Sequence, residues 1–261
     1  MQPVAHMRWV RRHVRPFRLR ADAVFGRYAR HLAQVRRSAA RALARRRRRP
    51  LTAVFSYRPG EGGKIDLGNV LVHFDHLLAC QQLQPLLGGD AQQIQQVLFE
   101  RGLEREYESG LPAEEFCQRL REAFSSDASD RLLLEAHADI FSLSHSMVPL
   151  VIQLSAAGHA LGILSNTCSS HWQHCCRKFR LVRTLFETTI LSFEVGAMKP
   201  DPAIFHTAIE RVGVVPARIL FVDDLEQNVE TARSMGFDAV RYSTTREFCR
   251  ELMARHVALN F

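Results

Sequence analysis

The stretch Leu220-Phe221-Val222 runs straight into two adjacent carboxylates, Asp223 and Asp224. A short apolar run without alternation reads as a parallel strand covered on both faces. Open α/β sheets place their ligands at the carboxyl ends of such strands. Neighbouring carboxylates there repel each other unless a cation compensates them. The chain offers two candidates for that cation, a bound divalent metal and Lys199. Asp66, another acid at the end of a short apolar stretch, is a natural partner for the same metal.

The chain around this strand alternates helices and strands from Met147 onward, the signature of an α/β sheet. Val148–Ala157 reads as a helix stopped by Gly158. Leu161–Leu164 reads as a strand ending at Ser165-Asn166-Thr167, and residues 169–180 as a polar, His-rich helix. Thr189–Leu191 is a further strand, Pro202–Val212 a helix with Ile204, Ala208 and Val212 on one stripe. After Ile219–Val222 come a helix over Asn228–Met235, a last strand over Ala239–Tyr242 and a terminal helix over 245–258. Before Met147, residues from His76 to about Ser144 read helical throughout, and this all-helical insert looks like a lid over the sheet. The expected fold is therefore a Rossmann-like parallel sheet flanked by helices, residues 51–75 and 145–261, with a helical cap inserted at 76–144.

The segment before Asp66 fits this scheme less well. A central parallel strand should supply four to six apolar residues before its functional end. Only Ile65 precedes Asp66 directly, and Gly60, Gly62 and Gly63 crowd the place where the strand belongs. Thr52–Ser56 competes for the same position. Gly68-Asn69 reads as a tight turn, followed by an extended piece at Val70–Val72.

Charge divides the chain in two. The net charge of +8 splits into +15 over residues 1–50, which hold sixteen Arg and one acid, and hence −7 over the remainder. Such a basic segment suits phosphate groups of nucleic acid or an anionic membrane surface, and an acid-poor targeting peptide has a similar composition. The plainest reading is a disordered or partly helical extension. No run of eighteen apolar residues is present to cross a bilayer. The six Cys match no zinc spacing, and with no secretory signal they read as reduced thiols of a cytoplasmic protein.

Asp66, Ser165, Lys199 and the Asp223–Asp224 pair all fall at predicted strand ends or in the adjoining loops. In a parallel sheet these ends gather on one edge. The set comprises a carboxylate nucleophile, a hydroxyl donor, an ammonium and a metal-binding pair. That inventory suits phosphoryl transfer, in which a hard cation, a positive side chain and donors hold the anionic oxygens. His171, His174, Cys175 and Cys176 offer metal-ligand types as well, although on one helix they read first as surface and core edge.

Four segments in order resemble the motifs of the haloacid dehalogenase superfamily: Asp66-Leu-Gly-Asn-Val-Leu, Leu164-Ser165-Asn166-Thr167, Gly196-Ala-Met-Lys199-Pro-Asp-Pro202 and Phe221-Val-Asp223-Asp224 with Asn228 following. The helical insert sits where one branch of that superfamily carries a small cap. The wording Asp-Leu-Gly-Asn-Val is similar to that of bacterial sugar-phosphate phosphatases in the branch. The resemblance spans roughly residues 64–250. It implies a Mg²⁺-dependent phosphomonoester hydrolase working through an aspartyl-phosphate on Asp66. It further implies Mg²⁺ ligation by Asp66, the Gly68 carbonyl, Asp223 and Asp224, and phosphoryl binding by Ser165, the Asn166 N–H at a helix start, and Lys199. Asp224 either ligates the ion or orients Lys199.

Two departures from the family pattern follow. Gly68 stands where many phosphatases of the superfamily carry a second Asp as general acid and base, which leaves the proton carrier open, with His73 and Asp75 nearby. The dehalogenases carry a bulky aromatic at that position, which argues against carbon–halogen cleavage. The weak lead-in to Asp66 raises the alternative of an inactive relative whose basic N-terminus binds nucleic acid or a membrane. Phe99, Arg101, Arg105 and Tyr107 are candidates for the substrate-facing wall of the cap.

Overall fold

The computed structural model describes residues 63–65 and 67–259, the first three by their backbone alone. The basic segment 1–50, the Thr52–Ser56 stretch and Asp66 lie outside the described residues.

The elements run in the order β1 (Gly63–Ile65), β2 (Val72–Phe74), α1 (His76–Leu87), α2 (Ala91–Gln95) continued by a π-helical turn (Gln96–Glu100), α3 (Leu103–Glu108), α4 (Ala113–Phe124), α5 (Asp130–Ala138) and β3 (Phe141–Leu143). They continue with α6 (Met147–Ala156), β4 (Leu161–Ser165), α7 (Ser169–Lys178), α8 (Arg180–Leu185), β5 (Thr188–Leu191) and the short α9 (Ser192–Val195). The chain then forms α10 (Pro202–Val212), β6 (Leu220–Asp223), α11 (Glu226–Ser234), β7 (Asp238–Arg241) and α12 (Thr245–Ala254).

Five strands form one parallel sheet in the order β5-β4-β1-β6-β7. The weak segment before Asp66 is thus the central strand. Gly63–Ile65 pairs with Leu161–Ile163 on one side and Leu220–Val222 on the other. Gly63 and Lys64 pair as strand despite the poor apolar lead-in. A strand flanked on both sides is held by the ladder hydrogen bonds of its neighbours, which need backbone rather than apolar side chains.

The sheet is buried on both faces, as its apolar runs require. Leu161, Ile163, Leu191, Leu220, Val222 and Val240 face one core, shared with α6, α7, α8 and α12. Leu164, Ile190, Phe221 and Ala239 face the other, against α10 and α11. Phe205, Phe221 and Phe237 meet edge to face there, with centroids 5.5–6.4 Å apart. Such contacts contribute about 0.5–1.5 kcal/mol per pair beyond the burial itself.

Helices α1 to α5 enclose a separate core of Leu83, Ile94, Leu98, Tyr107, Phe116, Leu120 and Leu133. This is the helical cap. Its insert is not helical throughout: Phe141–Leu143 is a strand, antiparallel to Val72–Phe74. Three residues are too few for period-two alternation to show against helical neighbours. The extended piece also begins later than expected, because Leu67–Leu71 forms a compact turn closed by bonds from Leu71 N and Val72 N to the Leu67 carbonyl. Among the described residues, no helix is long and apolar enough to cross a membrane.

Candidate active site

The carboxyl ends of β4 and β6 carry Ser165 and Asp223, on either side of central β1. Asp66 follows β1 directly in sequence. Asp223 is fully buried, and both its oxygens are engaged. Oδ2 accepts from Lys199 Nζ at 2.7 Å. Oδ1 accepts from Leu225 N and Asn228 Nδ2, each at 2.9 Å. The loop after β6 thus wraps back on the carboxylate that ends it.

Lys199 is 5% exposed, and Nζ also donates to the Leu164 carbonyl at 2.9 Å and lies 5.6 Å from the centre of the Phe221 ring. The ammonium therefore bridges the ends of β4 and β6. A compact ammonium with three donors suits this enclosed position better than a planar guanidinium. Asp224 is expected either to ligate the ion or to orient Lys199; of the two acids, Asp223 is the one that accepts from the ammonium. Asp224 is partly exposed, and among the described residues its carboxylate accepts one bond, from Asn69 Nδ2 at 3.0 Å. Asn69 sits in the turn after Asp66 with φ +52°, a left-handed conformation that asparagine tolerates better than most residues. The turn of the first motif is thereby tied to the carboxylates of the fourth.

Ser165 is buried at the end of β4, its hydroxyl 3.2 Å from the Asn166 carbonyl. Asn166 does not stand at a helix start, as had been expected, because α7 begins only at Ser169. Its side chain has a task the sequence did not reveal. Nδ2 donates to the Lys199 carbonyl at 2.9 Å, and Oδ1 accepts from Lys199 N at 2.7 Å. This two-point clamp fixes the backbone of the lysine. Asn228 was legible as a motif residue, but its hold on Asp223 was not.

The metal-ligand types divide into two groups. Gly68, Asp223 and Asp224 present only oxygen, the donor chemistry of a hard divalent cation. A carboxylate has about four acceptor sites. Among the described residues, partners fill three of these on Asp223 and one on Asp224, which leaves Asp224 the more open to an ion. The Gly68 carbonyl accepts from Val70 N at 2.7 Å and keeps a second lone pair. The donor set therefore fits Mg²⁺. The His and Cys residues cluster differently from the expected group. His137, Cys168 and His171 are buried together, with their ligand atoms within 4.8 Å of one another. The imidazoles of His137 and His171 are stacked 4.3 Å apart and within 9° of parallel. In-plane lone pairs of parallel rings do not converge on one ion. These rings serve Glu104 instead, which takes His137 Nε2 at 2.7 Å and faces His171 Nδ1 at 3.7 Å.

The other nominated residues are dispersed. Asp75 caps α1, accepting from Leu77 N and Leu78 N, and His73 is exposed on β2. Phe99 stacks on His76 at 4.5 Å, and Tyr107 is buried with its hydroxyl on Ser169 Oγ at 2.9 Å. Arg101 and Arg105 are exposed.

A family model described as haloacid dehalogenase-like hydrolase matches residues 40–236. The chain belongs to the haloacid dehalogenase-like hydrolases. The chain is 25% identical over 194 residues to D-ribitol-5-phosphate phosphatase of Bacteroides thetaiotaomicron, covering 72% of this chain and 94% of that one. A haloacid-dehalogenase family enzyme from the same organism, solved with magnesium and inorganic phosphate, superposes with a TM-score of 0.61 at 26% identity, over 70% of this chain and 94% of the other. A HAD-like hydrolase of Porphyromonas gingivalis shares the fold, with a TM-score of 0.64 at 22% identity over 76% and 98% of the two chains.

Proposed function

We propose that the chain is a Mg²⁺-dependent phosphomonoester hydrolase of small metabolites, with polyol or sugar phosphates as the substrate class. The observation that carries the reading is the buried Lys199–Asp223 pair at the tips of β4 and β6, beside an all-oxygen donor set. The HAD-like family, the likeness to a D-ribitol-5-phosphate phosphatase and the helical cap support it and favour the small-cap branch. A cytoplasmic location is part of the same proposal.

In this reading Asp66 attacks phosphorus, and water later releases phosphate from the aspartyl-phosphate. Lys199 neutralises charge on the phosphoryl oxygens, and Asp223 and Asn166 fix where its ammonium stands. Ser165 and the Asn166 N–H donate to the same oxygens. Mg²⁺, held by Asp66, the Gly68 carbonyl, Asp223 and Asp224, supplies further positive charge when bound.

The test is phosphate release from a panel of small phosphomonoesters, with and without Mg²⁺, by the full chain and by Asp66→Asn. The expected result is Mg²⁺-dependent turnover that Asp66→Asn abolishes while its circular dichroism is unchanged. Full activity in Asp66→Asn would rule the mechanism out.

A further inference from the structure

Ser192 opens the short helix after β5 and is completely buried. Its hydroxyl accepts from Thr167 N at 2.9 Å. It also stands 2.6 Å from the Glu108 carbonyl and 3.0 Å from the Thr167 carbonyl. A hydroxyl carries one proton, so it donates to only one of these at a time. Glu108 ends α3 in the cap, and its carbonyl is among the last four of a helix, which lack intrahelical donors. Thr167 lies on the core loop immediately after Asn166, whose side chain clamps Lys199. One side chain therefore joins the cap to the loop that holds the phosphate-site lysine.

The residues around Glu108 reinforce this seat. Tyr107 bonds Ser169 at 2.9 Å, and Ser109 Oγ donates to Met198 Sδ at 3.1 Å, next to Lys199. Gly110 has φ +111°, and a Cβ there would stand 3.1 Å from the Phe193 carbonyl oxygen. A side chain at Gly110 is strained at this φ and forces the cap backbone and the Phe193 carbonyl a few tenths of an ångström apart.

We propose that Ser192 is a positioning residue that couples docking of the cap to the geometry of the phosphate site. With the cap seated, the proton goes to Glu108 and the hydroxyl oxygen holds Thr167 N. With the cap lifted, the Glu108 acceptor is withdrawn and the proton turns to the Thr167 carbonyl. The loop 165–167, and through Asn166 the backbone of Lys199, then loses its tie to the cap. Substrate that seats the cap thereby completes the site that receives its phosphate. The inference rests on the phosphatase reading for its kinetic consequences, and on geometry alone for its structural ones.

The experiment compares the full-length wild type with Ser192→Ala and Gly110→Ala. Substrate is the best phosphomonoester of the panel, and orthovanadate serves as a mimic of the transferring phosphoryl group. Ser192→Ala should lower kcat by roughly ten- to hundred-fold, the scale on which small misplacements act, with little change in KM and with weaker vanadate inhibition. Gly110→Ala should give the same pattern, and the double variant should lose no more than the worse single one. Hydrogen–deuterium exchange provides a readout without turnover: peptides covering Thr167 and Lys199 should exchange faster in both variants. If wild type turns over and Ser192→Ala matches it in kcat, vanadate inhibition and exchange, the coupling is overturned. If wild type releases no phosphate but exchange at Lys199 loosens in Gly110→Ala, which keeps the Ser192 hydroxyl, the phosphatase reading fails and the coupling stands. Ser192→Ala with loosened exchange at Thr167 but full kcat also overturns it, because the hydroxyl would then be purely structural.

Discussion

Asp223 and Glu104 are both buried carboxylates, one at the sheet edge and one where cap meets core, and they are compensated differently. Asp223 is paired with an ammonium and held by a backbone N–H and an amide. Glu104 is paired with imidazoles, His137 at 2.7 Å and His171 at 3.7 Å, contributed by α5 and α7. The ammonium binds strands of one sheet to each other. The imidazoles bind a cap helix to a core helix through groups whose ordinary titration lies near neutrality. The difference places a pH-sensitive pairing at the seam between cap and core.

The largest effect expected from breaking the comparison is at Lys199. Lys199→Met leaves Asp223 buried without its cation, which typically costs about 3–5 kcal/mol. Removing both charges, as Lys199→Met with Asp223→Asn, should recover much of that loss. Urea denaturation of the three proteins measures it. A single variant within about 1 kcal/mol of wild type would show that the pair behaves as an exposed one.

The second effect is pH dependence at the seam. Burial, with His137 adding to it, pushes the His171 imidazole down to about 3. Burial alone would raise the Glu104 carboxyl, but attraction to His137, its hydrogen bond and His171 outweigh it and hold the group at about 2. Between about pH 6.5 and 3 the unfolded chain binds a proton at His171 that the folded one refuses, so stability falls as pH falls. Glu104 acts in the same direction from about pH 4.5 down to about 2, where the unfolded carboxyl is protonated and the native one is not. Thermal melts should show a loss of roughly 2–3 kcal/mol from pH 7 to pH 4.5, at 1.36 kcal/mol per unit of pKa shift. His171→Phe should flatten the curve above pH 4.5. An equally steep curve in that variant would remove His171 as its source.

The same pair of sites marks what could be read from the chain. The Asp223 site was legible because each of its parts ends a strand or stands in an adjoining loop, and strand ends are brought together by the parallel topology itself. The Glu104 site was not. Its members are separated by 33 residues or more, sit on helices of two layers, and depend on how the cap packs on the core. Within the sheet, β6 announced itself by Leu220-Phe221-Val222, whereas β1 had only Ile65 and was secured by its neighbours on both sides. The three-residue β3 was hidden by helical residues around it. The Asn166 clamp went unseen because it is a side-chain bond across 33 residues, to a backbone whose course only the fold determines.

The smallest effect is at the exposed rim of the Asp223 site and separates burial from proximity. Asn69 contributes two things, a left-handed turn at φ +52° and a bond to Asp224 that is open to solvent. Asn69→Gly removes the bond and keeps the conformation, which should cost under about 1 kcal/mol because water replaces the amide. Asn69→Ala removes both, and the left-handed penalty of about 1–2 kcal/mol is added. The gap between Ala and Gly therefore measures the turn, and the gap between Gly and wild type measures the tie to Asp224. If the tie serves chiefly to aim Asp224, Asn69→Gly should change the Mg²⁺ concentration needed for half-maximal turnover more than it changes the urea midpoint. An unchanged Mg²⁺ requirement alongside an Ala variant no less stable than Gly would show that the rim of the site contributes neither strain nor aim, and that its order comes entirely from the buried Lys199–Asp223 pair beneath it.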